Sequence, residues 1–435
     1  MNTGQQLYQR ARTRIPGGTQ LLSKRPEMFL PEQWPAYYQR AQGCEVVDLD
    51  GHRLLDMTHC GVGACTLGYA DPDVTAAVVA AVQAGSMTVL NCPEEVELAE
   101  LLCELHPWAD RVRYARCGGE SCMVAVRIAR AATGRDKVAF CGYHGWNDWY
   151  LAANLGVEGA LDGHLLPGLE PAGVPRALRG TALPFNFGDR AQLEAIVRDH
   201  GADLAAIIME PIRNAADVEY LHFCRVQAMR CGAVLIFDEV SAGFRLCCGG
   251  SHMTMGVEPD MAVLAKAMGN GHPMGAIIGR AAVMEAAQKS FISSTYWTER
   301  VGLAAALATI RKFRRLKVEQ HLIATGLRVQ EGWRSAATQA GLAVEVGGIP
   351  PLSHFGILGS DGLAARTLFT QLMLARGYLA GPGFYPMLTH TPEIVAGYLA
   401  RVAEVFVEIA AAQRAGDVAR HLKGPLAHTG FKRLN

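Results

Sequence analysis

The sequence predicts an α/β protein with a large, mostly parallel-sheet domain at its centre and a smaller α+β domain assembled from the two chain ends. Three observations carry this. Between about residues 70 and 280, short β-rich runs alternate with apolar helical stretches, the order that makes parallel crossovers. Before that region an alternating segment reads as a hairpin, and beyond about Ile310 the apolar periodicity is helical. The 435 residues, 50% hydrophobic and 19% charged, have an ordinary globular composition, and roughly 150 residues per domain allows two or three structural units. The expected boundaries are an N-terminal segment over 1–65 that joins the small domain, the large domain over 66–315, and the rest of the small domain over 316–435.

The elements follow in chain order. A helix is predicted around residues 7–14 and is broken by Pro16-Gly17-Gly18, after which a loop rich in proline and basic residues runs to about Pro35. Residues 45–57 alternate across an Asp50-Gly51 turn and form the hairpin. Strands are expected at 111–115, 137–141, 204–209, 233–237, 261–264 and 276–278, with helices between them. Helices over 318–327 and 329–340 and a final amphipathic helix over 392–412 complete the chain.

Composition excludes several classes of function. The 41 Lys and Arg cancel the 41 Asp and Glu, so no basic surplus points to nucleic acid. Apolar stretches such as 76–84 and 302–310 fall well short of the roughly 20 residues that cross a bilayer. The N-terminus lacks the basic and then apolar regions of a secretory signal, so a cytoplasmic location is expected. In that reducing compartment the 12 cysteines are read mostly as small buried hydrophobes. The spacings Cys60/Cys65, Cys117/Cys122 and Cys247-Cys248 form no paired zinc pattern, and a centre on His59, Cys60 and Cys65 lacks its second ligand pair. No metal is expected.

In open parallel sheets ligands bind outside the carboxyl ends of the strands, so the residues that follow each strand carry the functional argument. After residue 115 comes Arg116-Cys117-Gly118-Gly119-Glu120-Ser121 and then a helix with small apolar residues at 122, 125, 126 and 129. Two glycines before a helix N-terminus make either an anion cradle or simply a tight turn. After residue 141, Gly142-Tyr143-His144-Gly145-Trp146 offers aromatic rings that stack on a flat ligand or anchor the loop, and His144 reads equally as a satisfied structural histidine. The run 233–237 ends in Asp238-Glu239-Val240, delivering a buried-type carboxylate that needs a cation. The run 261–264 leads to Lys266 and a glycine-rich turn; an isolated lysine here is ordinarily a surface residue, but a desolvated amine can condense with an aldehyde. Phosphate cradle, stacking Tyr143, Asp238 for a pyridine nitrogen and Lys266 for an aldehyde together describe one ligand, pyridoxal 5′-phosphate (PLP).

These residues resemble class III aminotransferases of fold type I, and within them the glutamate-1-semialdehyde aminomutase-like branch. Cys117-Gly118-Gly119-Glu120-Ser121 stands where that family has Ser-Gly-Thr-Glu-Ala, and 126–130 and 133–135 also look like family sequence. The resemblance implies that Cys117, Gly118 and Gly119 bind phosphate, Tyr143 stacks on the ring and Val240 packs on its other face. It further implies that Asp238 binds the ring nitrogen and that Lys266 is both the residue joined to the cofactor and the catalytic base. Thr295, in Ser293-Ser294-Thr295-Tyr296-Trp297, resembles a threonine that reaches the neighbouring subunit's phosphate, which implies a homodimer with shared sites. Glu210-Pro211 resembles the family's Glu-Pro and places Glu210 beside the cofactor, although the asparagine that usually follows is displaced to Asn214.

The departures concern substrate. Lys24 stands near the position of an arginine that clamps the substrate carboxylate, and Gly61-Val62-Gly63 replaces Ser-Trp-Gly, putting the small Val62 where a large aromatic stands. A wider pocket without an arginine fork argues against glutamate semialdehyde and for an amino sugar of the aminoglycoside kind, a substrate of secondary metabolism. The implied activity is an aminotransferase; the alternative is an epimerase or aminomutase at an amine-bearing carbon, which requires an acid on the opposite face. A silent PLP-binding regulator would carry a separate basic DNA-binding unit, and none is visible.

Overall fold

The computed structural model describes residues 2–164, 167–212 and 215–430. Contacts divide the chain into two compact units, Met1–Asp71 with Gln320–Asn435, and Pro72–Glu319.

The first unit opens with α1 (Thr3–Arg12), which starts where the Asn2 side chain accepts the Gln5 N–H. Strands β1 (Tyr38–Gln42), β2 (Glu45–Asp48) and β3 (Arg53–Met57) form an antiparallel meander, with the expected hairpin between β2 and β3. Then Cys60 (φ 39°), Gly61 (φ 66°), Val62 (φ 60°) and Gly63 (φ 84°) make a left-handed turn, closed by the Gly63 N–H on the His59 carbonyl at 2.5 Å.

The second unit holds α2 (Pro72–Gln83), α3 (Glu94–Leu105), β4 (Arg111–Ala115), α4 (Gly118–Thr133), β5 (Lys137–Cys141), β6 (Ala182–Pro184), α5 (Arg190–His200), β7 (Leu204–Met209), α6 (Val218–Cys231), β8 (Val234–Asp238), β9 (Met261–Leu264), β10 (Gly275–Gly279) and α7 (Arg300–Leu316). Its seven described strands form one sheet in the order β4-β10-β9-β8-β7-β5-β6. The pairs β6/β5, β5/β7, β7/β8 and β8/β9 are parallel, whereas β10 runs antiparallel to both β9 and β4. The parallel crossover predicted for residues 276–278 is therefore corrected. Only residues 265–274 separate β9 from β10, and a parallel return needs a dozen or more. The face of α4 read as small and apolar, Cys122, Ala125, Val126 and Ala129, is buried with Phe140, Ile208, Ile236 and Val263 from the sheet.

The chain returns to the first unit with α8 (Val318–Ala340), β11 (Val344–Gly347), β12 (Ser353–Ile357), α9 (Gly362–Ala375), β13 (Tyr378–Ala380), β14 (Gly383–Phe384) and α10 (Pro392–Ala415). The two helices expected over 318–340 are one, because Gly326 does not break it: a side chain there would collide with the Pro350 carbonyl, so the glycine serves close packing. β13 pairs in parallel with β3, closing a four-stranded sheet from both chain ends. Its core joins Trp333, Phe355, Phe369, Tyr398 and Phe406 with Met57.

Candidate active site

Because β4, β5, β7, β8 and β9 point the same way, the segments after them converge on one sheet edge. Cys117 is extended (φ −145°, ψ 162°) and caps α4, and its carbonyl accepts both the Ser121 N–H and the Ser121 hydroxyl. Glu120 folds back to accept the Arg116 N–H at 2.7 Å, one residue before the cap. A Cβ on Gly118 would lie 2.6 Å from Val240 Cγ1, and one on Gly145 would lie 2.6 Å from Gly119 Cα. Asn147 Nδ2 donates to the Gly119 carbonyl at 2.7 Å and ties the two loops together. Bare helical amides thus lie between two loops that approach only because these positions lack side chains.

The β5 segment carries Tyr143, which is 42% exposed. Its N–H donates to Glu210 Oε2 at 3.3 Å, and any side chain at Gly142 (φ +111°) would collide with that carboxylate. The Gly142 N–H meets His164 Nδ1, and its carbonyl accepts the Tyr150 hydroxyl at 2.9 Å. Asn214 lies outside the described residues.

Asp238 ends β8 in the buried interior. Oδ1 accepts the Val240 N–H at 3.0 Å; Oδ2 faces His144 Nδ1 at 2.7 Å and the Cys122 thiol at 3.3 Å. His144 Nε2 meets the Cys141 carbonyl at 3.1 Å, so both ring nitrogens face oxygen. A carboxylate offers about four lone-pair sites, and a ring N–H fits the one that remains on Oδ1. Cys122, Asp238 and His144 are also a potential metal triad. The 2.7 Å between the imidazole and the carboxylate is, however, a hydrogen bond, and an ion would have to part them. Burial, and then the adjacent Asp238 charge, pushes the Cys122 thiol well above its ordinary value, so it serves as a donor.

Glu239, next in sequence, faces the opposite way into a buried network. It accepts from the Ser251 hydroxyl at 2.7 Å, the His252 N–H at 2.9 Å and His252 Nδ1 at 2.8 Å. Burial alone would raise its carboxyl, but these bonds outweigh it and the group stays below its ordinary range. Trp108 Nε1 donates to His252 Nε2 at 3.0 Å, which fixes the proton on Nδ1.

Lys266 follows β9 in the left-handed region (φ 39°), an uncommon conformation for a residue with a side chain. Its Nζ donates to Ser241 Oγ at 2.7 Å. Thr295 opens an exposed turn (Thr295–Thr298). The adjoining chain is held by Arg116, whose Nε meets the Tyr296 carbonyl at 2.5 Å and whose Nη2 meets the Glu299 carbonyl at 2.6 Å. Lys24 and Val62 belong to the other unit: Lys24 is exposed in the turn Leu22–Lys24, and Val62 is half-buried in the left-handed segment.

The same edge therefore carries Cys117, Gly118, Gly119, Tyr143, Glu210, Asp238, Val240 and Lys266. Sequence reasoning gave no functional role to Ser241 or Cys122. A serine three positions beyond Asp238 was a usable signal; Cys122 was masked by its place on an apolar helix face. One groove of about 600 Å³ lies between α5 and α6 and shares no residue with this edge.

The chain belongs to the class-III aminotransferase family, whose model matches residues 31–348. It is accordingly a PLP-dependent enzyme of fold type I. The chain is 31% identical to the 2′-deamino-2′-hydroxyneamine transaminase of Streptomyces kanamyceticus, over 85% of this chain and 90% of that protein. It is 36% identical to the glutamate-1-semialdehyde 2,1-aminomutase of Akkermansia muciniphila, over 78% and 80%. The solved FumI protein of Sphingopyxis sp. MTA144, in its PLP internal aldimine form, superposes with a TM-score of 0.85 at 25% identity, over 95% of this chain and 98% of that one. The edge fits the cofactor: a side-chain-free cradle, a carboxylate with one acceptor site to spare and a lysine amine occur together.

Proposed function

We propose that this enzyme is an aminotransferase for an amino sugar, or a related amine or aldehyde, of the aminoglycoside kind, acting in the cytoplasm as a homodimer. The observation that carries the substrate class is the 31% identity, over 85% of the chain, to a transaminase whose name specifies a neamine derivative. Two departures in this sequence support it. Lys24 presents a point charge where bidentate carboxylate recognition needs an arginine fork, and Gly61-Val62-Gly63 supplies a small wall.

The bound cofactor would supply an electron sink for the bonds at the substrate's amine-bearing carbon. In this reading Cys117, Gly118 and Gly119 hold its phosphate with backbone amides, Tyr143 and Val240 flank the ring, and Glu210 steadies the Tyr143 loop. Asp238 keeps the ring nitrogen protonated, and Lys266 Nζ moves the proton at the amine-bearing carbon. Exposed Phe291 and Tyr296, close in sequence to Thr295, favour a second copy covering that segment. Thr295 would then reach the partner's phosphate.

The identity to an aminomutase favours a second reading, epimerase or aminomutase. Titrating the purified protein with L-glutamate and then with aminoglycosides, while recording the visible absorption of bound PLP, separates the two. Loss of absorption with release of an oxo product supports transamination. Uptake of solvent deuterium at the amine-bearing carbon without an oxo product establishes the second reading, and no PLP absorption at all sinks both. Lys266→Ala is expected to abolish turnover.

A further inference from the structure

Lys266 makes a contact that the roles above leave unused. Its Nζ sits 2.7 Å from Ser241 Oγ, and the backbone at both ends of that contact is fixed. Ser241 lies in the turn after β8, where the Gly243 N–H meets the Glu239 carbonyl at 2.8 Å and the Phe244 N–H meets the Gly249 carbonyl at 2.8 Å. The Ser241 carbonyl itself accepts from Nε of the buried Arg245 at 2.6 Å. Gly243 admits no substituent, since a Cβ would lie 2.7 Å from the Glu239 carbonyl. On the other side, Lys266 leaves the central strand β9 in its left-handed conformation.

A lysine side chain is long and has many rotamers, so an amine released from any bond would sample many positions. We propose that Ser241 is a positioning residue for Lys266: its hydroxyl holds the ε-amine at the ends of β8 and β9 whenever that amine is not joined to the cofactor. This rests on the PLP reading and deepens it. A neutral amine that gives one N–H to Ser241 Oγ keeps its lone pair for the substrate proton. After protonation the ammonium still has an N–H for the same oxygen, so the contact survives both states. A methyl group at this position supplies neither.

The test uses full-length Ser241→Ala and Ser241→Thr. In the holoenzyme, Ser241→Ala is expected to lower kcat by about tenfold, the effect of losing one hydrogen bond to a charged group, with KM within about twofold; Ser241→Thr restores kcat. Independently of turnover, visible absorption on adding PLP to cofactor-free Ser241→Ala should develop about tenfold more slowly, and Ser241→Thr should again restore it. Wild-type values for both rates in Ser241→Ala overturn the proposal, as does a slow Ser241→Ala that threonine fails to rescue. If Ser241→Ala does not fold, Ser241→Gly carries the same expectations. An active Lys266→Ala would instead overturn the PLP reading itself, which keeps the two failures apart.

Discussion

At Asp238 three donors meet one carboxylate, and the Cys122 thiol, at 3.3 Å, is the weakest of them. Losing a weak buried donor costs about 0.5–1 kcal/mol, so Cys122→Ala is expected to raise the PLP dissociation constant by about threefold. Cys122→Ser, which keeps a donor, should leave it near wild type; an absorbance titration with PLP reads both. Asp238, Lys266 and the two cradle glycines were legible in the sequence because a charge or a glycine at the end of a strand is conspicuous. Cys122 was not, because a thiol on an apolar helix face looks like any small hydrophobe until the carboxylate beside it is placed. The left-handed conformation of Val62 was also hidden, since only the flanking Gly61 and Gly63 hint at it. Holding a β-branched residue there costs roughly 1–2 kcal/mol, so Val62→Gly is expected to raise the urea midpoint.

At the scale of elements, the glycines of α4 separate two physical roles. A Cβ at Gly118 meets Val240 Cγ1 at 2.6 Å, whereas one at Gly134, the left-handed cap of the same helix, meets nothing within 4 Å. Gly118→Ala should therefore destabilise the unit by about 1–3 kcal/mol and weaken PLP binding. Gly134→Ala should cost about 1 kcal/mol through its backbone alone and leave PLP binding unchanged. Thermal unfolding with and without PLP distinguishes the two. The strands of the central sheet other than β6 were readable because each is a short apolar run bounded by turn residues. The direction of β10 was legible too, in the short gap between the runs 261–264 and 276–278, but the alternation of strands and helices alone suggested a crossover. β1, β6 and β11 to β14 were missed for other reasons: β1 is almost wholly exposed, β6 spans three residues ending in a proline, and β11 to β14 are runs of five residues or fewer in a stretch dominated by helical periodicity.

For the molecule as a whole, two buried histidines contribute to the response to acid, one in each unit. In His106, Nδ1 donates to the Leu102 carbonyl and Nε2 accepts the Gly250 N–H; in His390, Nε2 donates to the Asp56 carbonyl and Nδ1 accepts the Met387 N–H. A second proton would break the accepting bond, and burial lowers both groups from 6.5 to about 4. The unfolded chain binds those protons first, so this stability is complete above about pH 6.5 and falls as pH drops toward 4, by up to about 3 kcal/mol per group. Urea unfolding at pH 7 and pH 5 should show the loss, and His106→Gln should reduce its slope. The reversal of β10 bears on time as well as shape. β9 and β10 form a hairpin in the interior of the sheet, with β8 beyond one strand and β4 beyond the other, and Lys266 sits at its bend. The amides of that hairpin are expected to exchange with deuterated water more slowly than those of the edge strands β4 and β6, because each of its strands has a neighbour on both sides. Lys266 is thus joined directly to interior strands, and deuterium uptake in β9 and β10 is expected to lag behind that of the loops that meet it.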